Sequence, residues 1–220
     1  MIYILAPNFR TRIISGEIMK SSHIGAILLG VSSLVSFALL AGDPEAGKAK
    51  SALCAGCHGV DGNSATGTWP NLAGQNEVYL IKQLQDFKSG ERADPVMKGM
   101  ANTLSDVDMQ DIAAYYSSQK MKPVKFDDKL VAQGENIYRG GITETSVAAC
   151  MSCHSPSGRG IAPAGYPSLR GQHPEYLEAQ LRKFQAGSRA NDGGKSMRNV
   201  AKRMTDQEIR AVSAYIAGIQ

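Results

Sequence analysis

The chain has 220 residues, 24 Lys+Arg and 20 Asp+Glu, for a formal net charge of +4. Its 43% hydrophobic and 20% charged residues are typical of a folded globular protein with one large domain or two small ones. The sequence lacks a basic stripe interleaved with aromatic residues, which argues against nucleic acid as a partner. Aromatic residues make up only 6% of the chain, which is a small number of large side chains to fill two hydrophobic cores. A non-peptide apolar group could supply part of each core.

Residues 1–42 are predicted to be an export signal. An uncharged run of 18 residues, 24–41, follows a lysine, and Met19 is the expected true start. Cleavage after Ala41 or Gly42 would release the mature chain. A retained membrane anchor is the alternative, because 18 residues come close to the roughly 20 that span a bilayer.

The rest of the chain repeats itself. Cys54-Ala-Gly-Cys57-His58 recurs 96 positions later as Cys150-Met-Ser-Cys153-His154, and further matches run through both copies. These matches predict two domains, 43–122 (the first half) and 123–220 (the second half), with the joint at Pro123 and its charged neighbours. The first half holds 8 basic and 10 acidic groups (−2), and the second holds 13 and 9 (+4), a charge dipole that would orient the protein against charged partners.

Helices are predicted at matching positions in both halves. Apolar residues at helical spacing or helix-forming runs give these segments: 46–53, 77–88 and a last helix to about 118, then 129–138, 174–185 and a last helix to about 218. Ser105 and Thr205 are predicted to be the N-caps of the last helices, because acidic residues follow each of them. Strand alternation is not convincing anywhere in the sequence, so an all-α fold is expected.

The chemistry lies in the two Cys-x-x-Cys-His motifs, which contain all four cysteines. One such motif would also suit a redox dithiol or half of a zinc site. Two motifs in an exported chain favour covalent haem attachment. The two cysteines on one helical turn would reach the two haem vinyl groups, and His58 or His154 would bind the iron. A thioredoxin-like site would require a βαβ context, which the pattern does not show.

Each iron would need a second axial ligand. Met97 and Met197 each lie eight residues before the N-cap of a last helix, and they alone among the methionines coincide between the halves. A His/Met pair is the axial set of cytochromes c. Met100, Met109 and Met204 have no methionine counterpart and are expected to be packing residues, with Met100 as the alternative ligand in the first half.

Two prolines are candidate partners of the histidines. Pro70 and Pro167 open a Pro-x-Leu-x-Gly segment 12 or 13 residues after the histidine. Since a metal-bound histidine usually donates its other ring nitrogen to a carbonyl or carboxylate, these proline carbonyls are predicted to accept that bond. An ordinary loop proline is the alternative. His173 has no histidine counterpart and is expected to have a surface or capping role.

The region after residue 42 resembles the dihaem cytochrome c4 family. The following runs carry the resemblance: Cys54-Ala-Gly-Cys57-His58-Gly-Val-Asp-Gly-Asn63, Leu72-Ala-Gly-Gln75, Asp111-Ile-Ala-Ala-Tyr115-Tyr-Ser-Ser-Gln119, Arg139-Gly-Gly141 and Gly171-Gln172-His173. The resemblance implies an all-α protein of two tandem class I cytochrome c domains, each wrapped around one covalently bound haem. The ligand methionines of the family fall on Met97 and Met197.

The resemblance also implies a function. It is that of a periplasmic one-electron carrier in a respiratory chain, loosely associated with the inner membrane. The expected donor is a membrane-bound quinol–cytochrome c oxidoreductase or another reductant, and the expected acceptor is a haem-copper terminal oxidase. An electron-accepting subunit of a dehydrogenase, such as a flavocytochrome, would keep the same ligands and is the first alternative. A dihaem redox enzyme is the second, but it would need a vacant or unusual axial position, whereas both halves supply a methionine.

Overall fold

A computed structural model describes residues 42–219. The predicted export signal, its start at Met19 and the alternative of a membrane anchor lie outside the described residues. Over 42–219, the chain forms helices and loops, and its extended pairing is limited to two isolated antiparallel bridges. The expected all-α fold is confirmed. Of the helices in this range, none combines the length and the apolar character of a membrane span.

Each half contributes five of the ten α-helices found between residues 42 and 219. In the first half they are α1 Pro44–Lys50, α2 Ala55–His58, α3 Glu77–Ser89, α4 Pro95–Asn102 and α5 Asp106–Ser118. In the second half they are α6 Val131–Gly140, α7 Met151–His154, α8 Pro174–Gln185, α9 Ser196–Ala201 and α10 Asp206–Gly218.

The last helix of each half starts at a predicted N-cap. The Ser105 hydroxyl accepts a hydrogen bond from the Asp108 N–H at 3.2 Å, and the Asp108 carboxylate accepts one from the Ser105 N–H at 2.9 Å. Thr205 and Glu208 form the same reciprocal pair at 3.3 and 2.7 Å. Both N-cap predictions are confirmed, and each satisfies two backbone groups that a helix start leaves without partners.

The first and last helices of each half cross at a glycine. A Cβ on Gly47 would lie 1.9 Å from the Asp111 carbonyl oxygen, and one on Gly134 would lie 2.0 Å from that of Ala211. Any side chain here would push α1 away from α5, or α6 away from α10. The close crossings fix the start of the segment that leads into each Cys-x-x-Cys-His motif.

The helices around Met97 and Met197 were not predicted. Helix α4 starts at Asp94, whose carboxylate accepts hydrogen bonds from the N–H groups of Val96 and Met97 at 3.1 and 3.0 Å. Helix α9 has no such cap and follows Lys195, which is in the left-handed conformation. Both candidate methionines therefore lie on short helices rather than in loops.

Candidate haem sites

Each Cys-x-x-Cys-His motif forms one helical turn. The His58 N–H donates to the Cys54 carbonyl at 3.0 Å, and the His154 N–H donates to the Cys150 carbonyl at 2.9 Å. The four cysteines are all half-buried and form no disulfide: Cys54, Cys57, Cys150 and Cys153. Two thiols and one imidazole thus project from a single turn in each half.

Burial keeps the first thiol of each motif protonated. It raises the pKa of Cys54 and raises that of Cys150 to about 11. A catalytic dithiol requires the opposite, a thiol whose pKa is lowered so that the thiolate forms near neutral pH. The sites therefore suit thioether attachment better than dithiol exchange.

Both histidines are buried and oriented by a proline carbonyl. His58 and His154 are each 6% exposed. The Nδ1 atom of His58 lies 2.9 Å from the Pro70 oxygen, and that of His154 lies 3.0 Å from the Pro167 oxygen. Because a carbonyl only accepts, Nδ1 carries the proton and Nε2 keeps a free lone pair. Burial lowers the pKa of both rings, and the hydrogen bonds oppose this in part. Each imidazole is therefore neutral, the form that binds iron.

The candidate methionines occupy matched places. Met97 on α4 and Met197 on α9 are both half-buried. Each would supply a second protein ligand to an iron, and this role stays a prediction. Met109 and Met204 are buried packing residues, as expected. Met100 is 42% exposed among the described protein atoms, so it does not pack in the protein core like these two, and its role stays a prediction.

Two glutamines join the proline segments across the halves. Gln172 accepts from the Asn71 N–H at 2.8 Å and donates to the Asn71 carbonyl at 3.0 Å. Gln75 does the same to Ser168, at 2.8 Å in both directions. Asn71 and Ser168 directly follow the prolines that orient the histidines. The sequence analysis missed this link, although a glutamine, Gln75 or Gln172, directly follows the repeated Pro-x-Leu-x-Gly segment in each half.

A second set of reciprocal bonds connects α3 and α8. Arg92 and Arg189 are buried, and each stacks on a phenylalanine of its own half, with 4.6 and 4.5 Å from the guanidinium carbon to the ring centroid. Each guanidinium also donates to a tyrosine and a glutamine of the other half. The bonds are Arg92 to Tyr176 at 2.8 Å and Gln180 at 3.0 Å, and Arg189 to Tyr79 at 2.9 Å and Gln83 at 3.1 Å. The two halves thus exchange buried polar contacts in matched pairs.

His173 also connects the halves. It stands at the N-cap position of α8, but its side chain makes no capping hydrogen bond. Its Nε2 atom instead lies 3.0 Å from the Ser64 carbonyl oxygen in the first half. The expected capping position is confirmed, since the His173 carbonyl accepts a hydrogen bond from the Leu177 N–H at 3.1 Å, but the ring contacts a segment 109 residues away instead of capping the helix.

Comparison with known proteins decides the family. Two stretches, 44–120 and 132–220, match the cytochrome c family model. Cytochrome c4 of Pseudomonas aeruginosa is 49% identical over 193 residues, which cover 87% of this chain and 96% of that protein. This chain belongs to the cytochrome c4 family.

Solved structures agree with this membership of the cytochrome c4 family. Reduced recombinant cytochrome c4 from Pseudomonas stutzeri matches with a TM-score of 0.79 and 47% identity, covering 82% of this chain and all of that one (100%). A protein of Thiomonas intermedia named thiosulfate dehydrogenase electron acceptor is 40% identical over 182 residues, covering 80% of this chain and 81% of that protein.

Membership of the cytochrome c4 family confirms several expectations. The protein is built from two cytochrome c domains and is an electron-transfer protein, not an enzyme. It carries two covalently bound haem c groups, one for each Cys-x-x-Cys-His motif. The local geometry fits them, since each motif offers two unpaired thiols on one turn and a buried imidazole with a free Nε2.

Proposed function

We propose that this member of the cytochrome c4 family is a periplasmic one-electron carrier of a respiratory chain. It is exported by residues 1–42, and its two domains are 43–122 and 123–220. A quinol–cytochrome c oxidoreductase or another donor reduces it, a haem-copper terminal oxidase accepts its electrons, and it associates loosely with the inner membrane. The residues assigned to the haems are Cys54, Cys57, His58, Pro70 and Met97 in the first half, and Cys150, Cys153, His154, Pro167 and Met197 in the second.

The chain's own residues favour transfer without a bound substrate. When bound, haem supplies an iron that gains or loses one electron. The proline carbonyl fixes the proton of each histidine on Nδ1, which leaves Nε2 for the metal. Met97 and Met197 would each supply a second protein ligand to an iron, and a thioether ligand would raise its reduction potential. A site closed in this way exchanges electrons but offers no position for a substrate.

The observation that carries the proposal is one Cys-x-x-Cys-His site with an oriented histidine, repeated in two halves that are hydrogen-bonded to each other. The bonds from Gln172 to Asn71 and from Gln75 to Ser168 join the segments that orient the two histidines. Because all four residues are buried, these bonds hold the two sites in a fixed relation. A fixed pair of one-electron sites suits a relay that accepts an electron at one half and delivers it from the other.

The charge of the two halves supports different docking faces. The first half has a net charge of −2 (8 basic and 10 acidic groups), and the second has +4 (13 and 9). Opposite ends of a charged carrier are attracted to different partners, and salt screens this attraction. An acidic partner would therefore dock at the second half and a basic one at the first.

Stopped-flow mixing of the reduced protein with a purified haem-copper oxidase tests the proposal. We expect rapid oxidation, with a rate that changes with ionic strength. Lys202→Glu, an exposed change in the second half, should alter the rate more than Lys98→Glu, an exposed change in the first, if the acceptor is acidic. Oxidation no faster than autoxidation by oxygen alone would refute this assignment of the acceptor.

The dehydrogenase alternative has one observation in its favour. Relatives from Thiomonas intermedia and Stutzerimonas stutzeri, 40% and 37% identical, are named thiosulfate dehydrogenase electron acceptors. Mixing the oxidised protein with thiosulfate dehydrogenase and thiosulfate tests it directly. Reduction within the turnover time of the dehydrogenase, together with slow oxidation by the oxidase, would favour this second function.

A further inference from the structure

The two sites differ at the residue that follows the histidine. After His58 the chain has Gly59, with φ 78° and ψ 153°. After His154 it has Ser155, with φ 65° and ψ 156°. This backbone region is essentially restricted to glycine, and another residue there carries strain of order 1–3 kcal/mol. The second half thus has a serine at a position where the backbone conformation is free of strain only for glycine, the residue found in the first half.

The loop of the second half is adapted to this side chain. In the first half, a Cβ on Gly59 would lie 2.3 Å from the Asn63 carbonyl oxygen, which leaves no room for it. In the second half, Arg159 occupies the position of Asn63, and its N–H donates to the Ser155 hydroxyl at 3.0 Å. The side chain therefore has space and a partner, but the backbone angles remain those of a glycine.

A tyrosine hydroxyl holds the strained residue. The Ser155 carbonyl accepts a hydrogen bond from the Gly158 N–H at 3.1 Å, and the Gly59 carbonyl accepts the same bond from Gly62 at 3.1 Å. The Ser155 carbonyl also accepts the Tyr138 hydroxyl at 2.7 Å. Tyr138 is completely buried on α6, so its hydroxyl is fixed in place.

The first half has no counterpart of this bond. Gly47 in α1 and Gly134 in α6 are the matched glycines at the helix crossings. Tyr138 lies four residues after Gly134 and therefore corresponds to Ser51, whose side chain is too short to reach the loop. The first half instead uses Tyr115 on α5, whose hydroxyl donates to the carbonyl of Val60 at 2.9 Å, one residue beyond Gly59. Each half thus has a tyrosine hydroxyl bonded to this loop, and only in the second half is that bond made to the strained residue itself.

We propose that Tyr138 is a positioning residue for the haem of the second half. Its hydroxyl holds Ser155 in the glycine-like conformation and thereby fixes the direction of His154 toward its haem. Without this bond, the Ser155 backbone relaxes toward an unstrained conformation and tilts the imidazole away from the Pro167 carbonyl, 3.0 Å from it in the native structure. The proposal rests on the proposed role of His154 as an iron ligand.

Three variants of the haem-loaded protein test it: Tyr138→Phe, Ser155→Gly and the double variant. Tyr116→Phe is the control, because Tyr116 is equally buried but its hydroxyl makes no hydrogen bond to the loop that follows the histidine. Redox titration with haem-methyl NMR reports each haem separately, and denaturant unfolding reports stability. We expect Tyr138→Phe to raise the unfolding equilibrium constant on the order of tenfold and to shift the potential of the second haem alone.

In the double variant, glycine adopts the required angles without strain, so the shift in potential should shrink. Ser155→Gly alone and Tyr116→Phe should leave both potentials near those of the native protein. Equal shifts at both haems, or a shift in Tyr138→Phe that Ser155→Gly does not reduce, would overturn the proposal. A change in stability in Tyr138→Phe with no change in the potential of the second haem would also overturn it. The absorption spectrum of His154→Ala tests the ligand assignment separately, because an unchanged spectrum of the second haem would refute His154 as a ligand.

Discussion

Removing one of the bridging glutamines should weaken the contact between the halves. In Gln172→Ala, the N–H and the carbonyl of Asn71 lose their partners at 2.8 and 3.0 Å. Asn71 is only 3% exposed, so water reaches these groups poorly. Asn71 follows Pro70, whose oxygen lies 2.9 Å from Nδ1 of His58. A substitution in the second half should therefore shift the reduction potential of the haem in the first half.

The magnitude follows from the two lost bonds. A buried polar group left without a partner costs about 1–3 kcal/mol. Two such groups give an expected loss of about 2–6 kcal/mol in the free energy of unfolding, which is a large part of a typical total of about 5–15 kcal/mol. Gln75→Ala should cost a similar amount through Ser168, with its effect on the haem of the second half.

Denaturant unfolding and redox titration of both haems measure these effects. Gln207→Ala, an exposed glutamine on α10, is the matched control and should change the free energy of unfolding by less than about 0.5 kcal/mol. A loss below about 0.5 kcal/mol in Gln172→Ala would refute the assigned role of the bridge. So would a shift in potential confined to the haem of the second half.

Two further predictions concern one ligand and one ion pair. Met197→Ala should free a coordination position on the iron of the second haem. One of the two haems in each chain should then bind carbon monoxide and lose its thioether absorption band, whereas in Met100→Ala neither haem should bind carbon monoxide. The Lys50 ammonium, 2.7 Å from Asp111, lowers the pKa of that carboxyl. A lowered pKa stabilises the fold above the unfolded value of about 3.9, and this is lost as pH falls through the lower folded value. In Asp111→Asn, the free energy of unfolding should therefore fall less steeply as the pH is lowered into the acid range. Asp106→Asn, at an exposed position of the same helix, should not change this slope. Equal slopes in the two variants would count against the ion pair.

The sequence was most informative where a local pattern decides the structure. The repeated Cys-x-x-Cys-His motif and the N-caps Ser105 and Thr205 depend on neighbours within four residues, so they could be predicted. The predicted helix 174–185 matches α8, because its apolar spacing is regular. Helix α4 was missed, because it has only eight residues and Gly99 interrupts it.

Contacts between distant segments could not be predicted. His173 looked like a surface or capping residue because its partner, the Ser64 carbonyl, has no sequence signature. The exchange of glycine for Ser155 was visible in the repeat, but its meaning required the backbone angles and the Tyr138 bond. Repetition marked the residues of the interface without showing which half each of them contacts.

A haem count combined with carbon monoxide binding tests the central claim most directly. Pyridine haemochrome analysis gives the number of haems per chain, and spectra of the reduced protein with carbon monoxide show whether an axial position is open. Two haems per chain, a thioether band in the oxidised protein and no carbon monoxide adduct are the predicted result. One haem per chain, or rapid carbon monoxide binding by the native protein, would contradict a carrier with two closed sites.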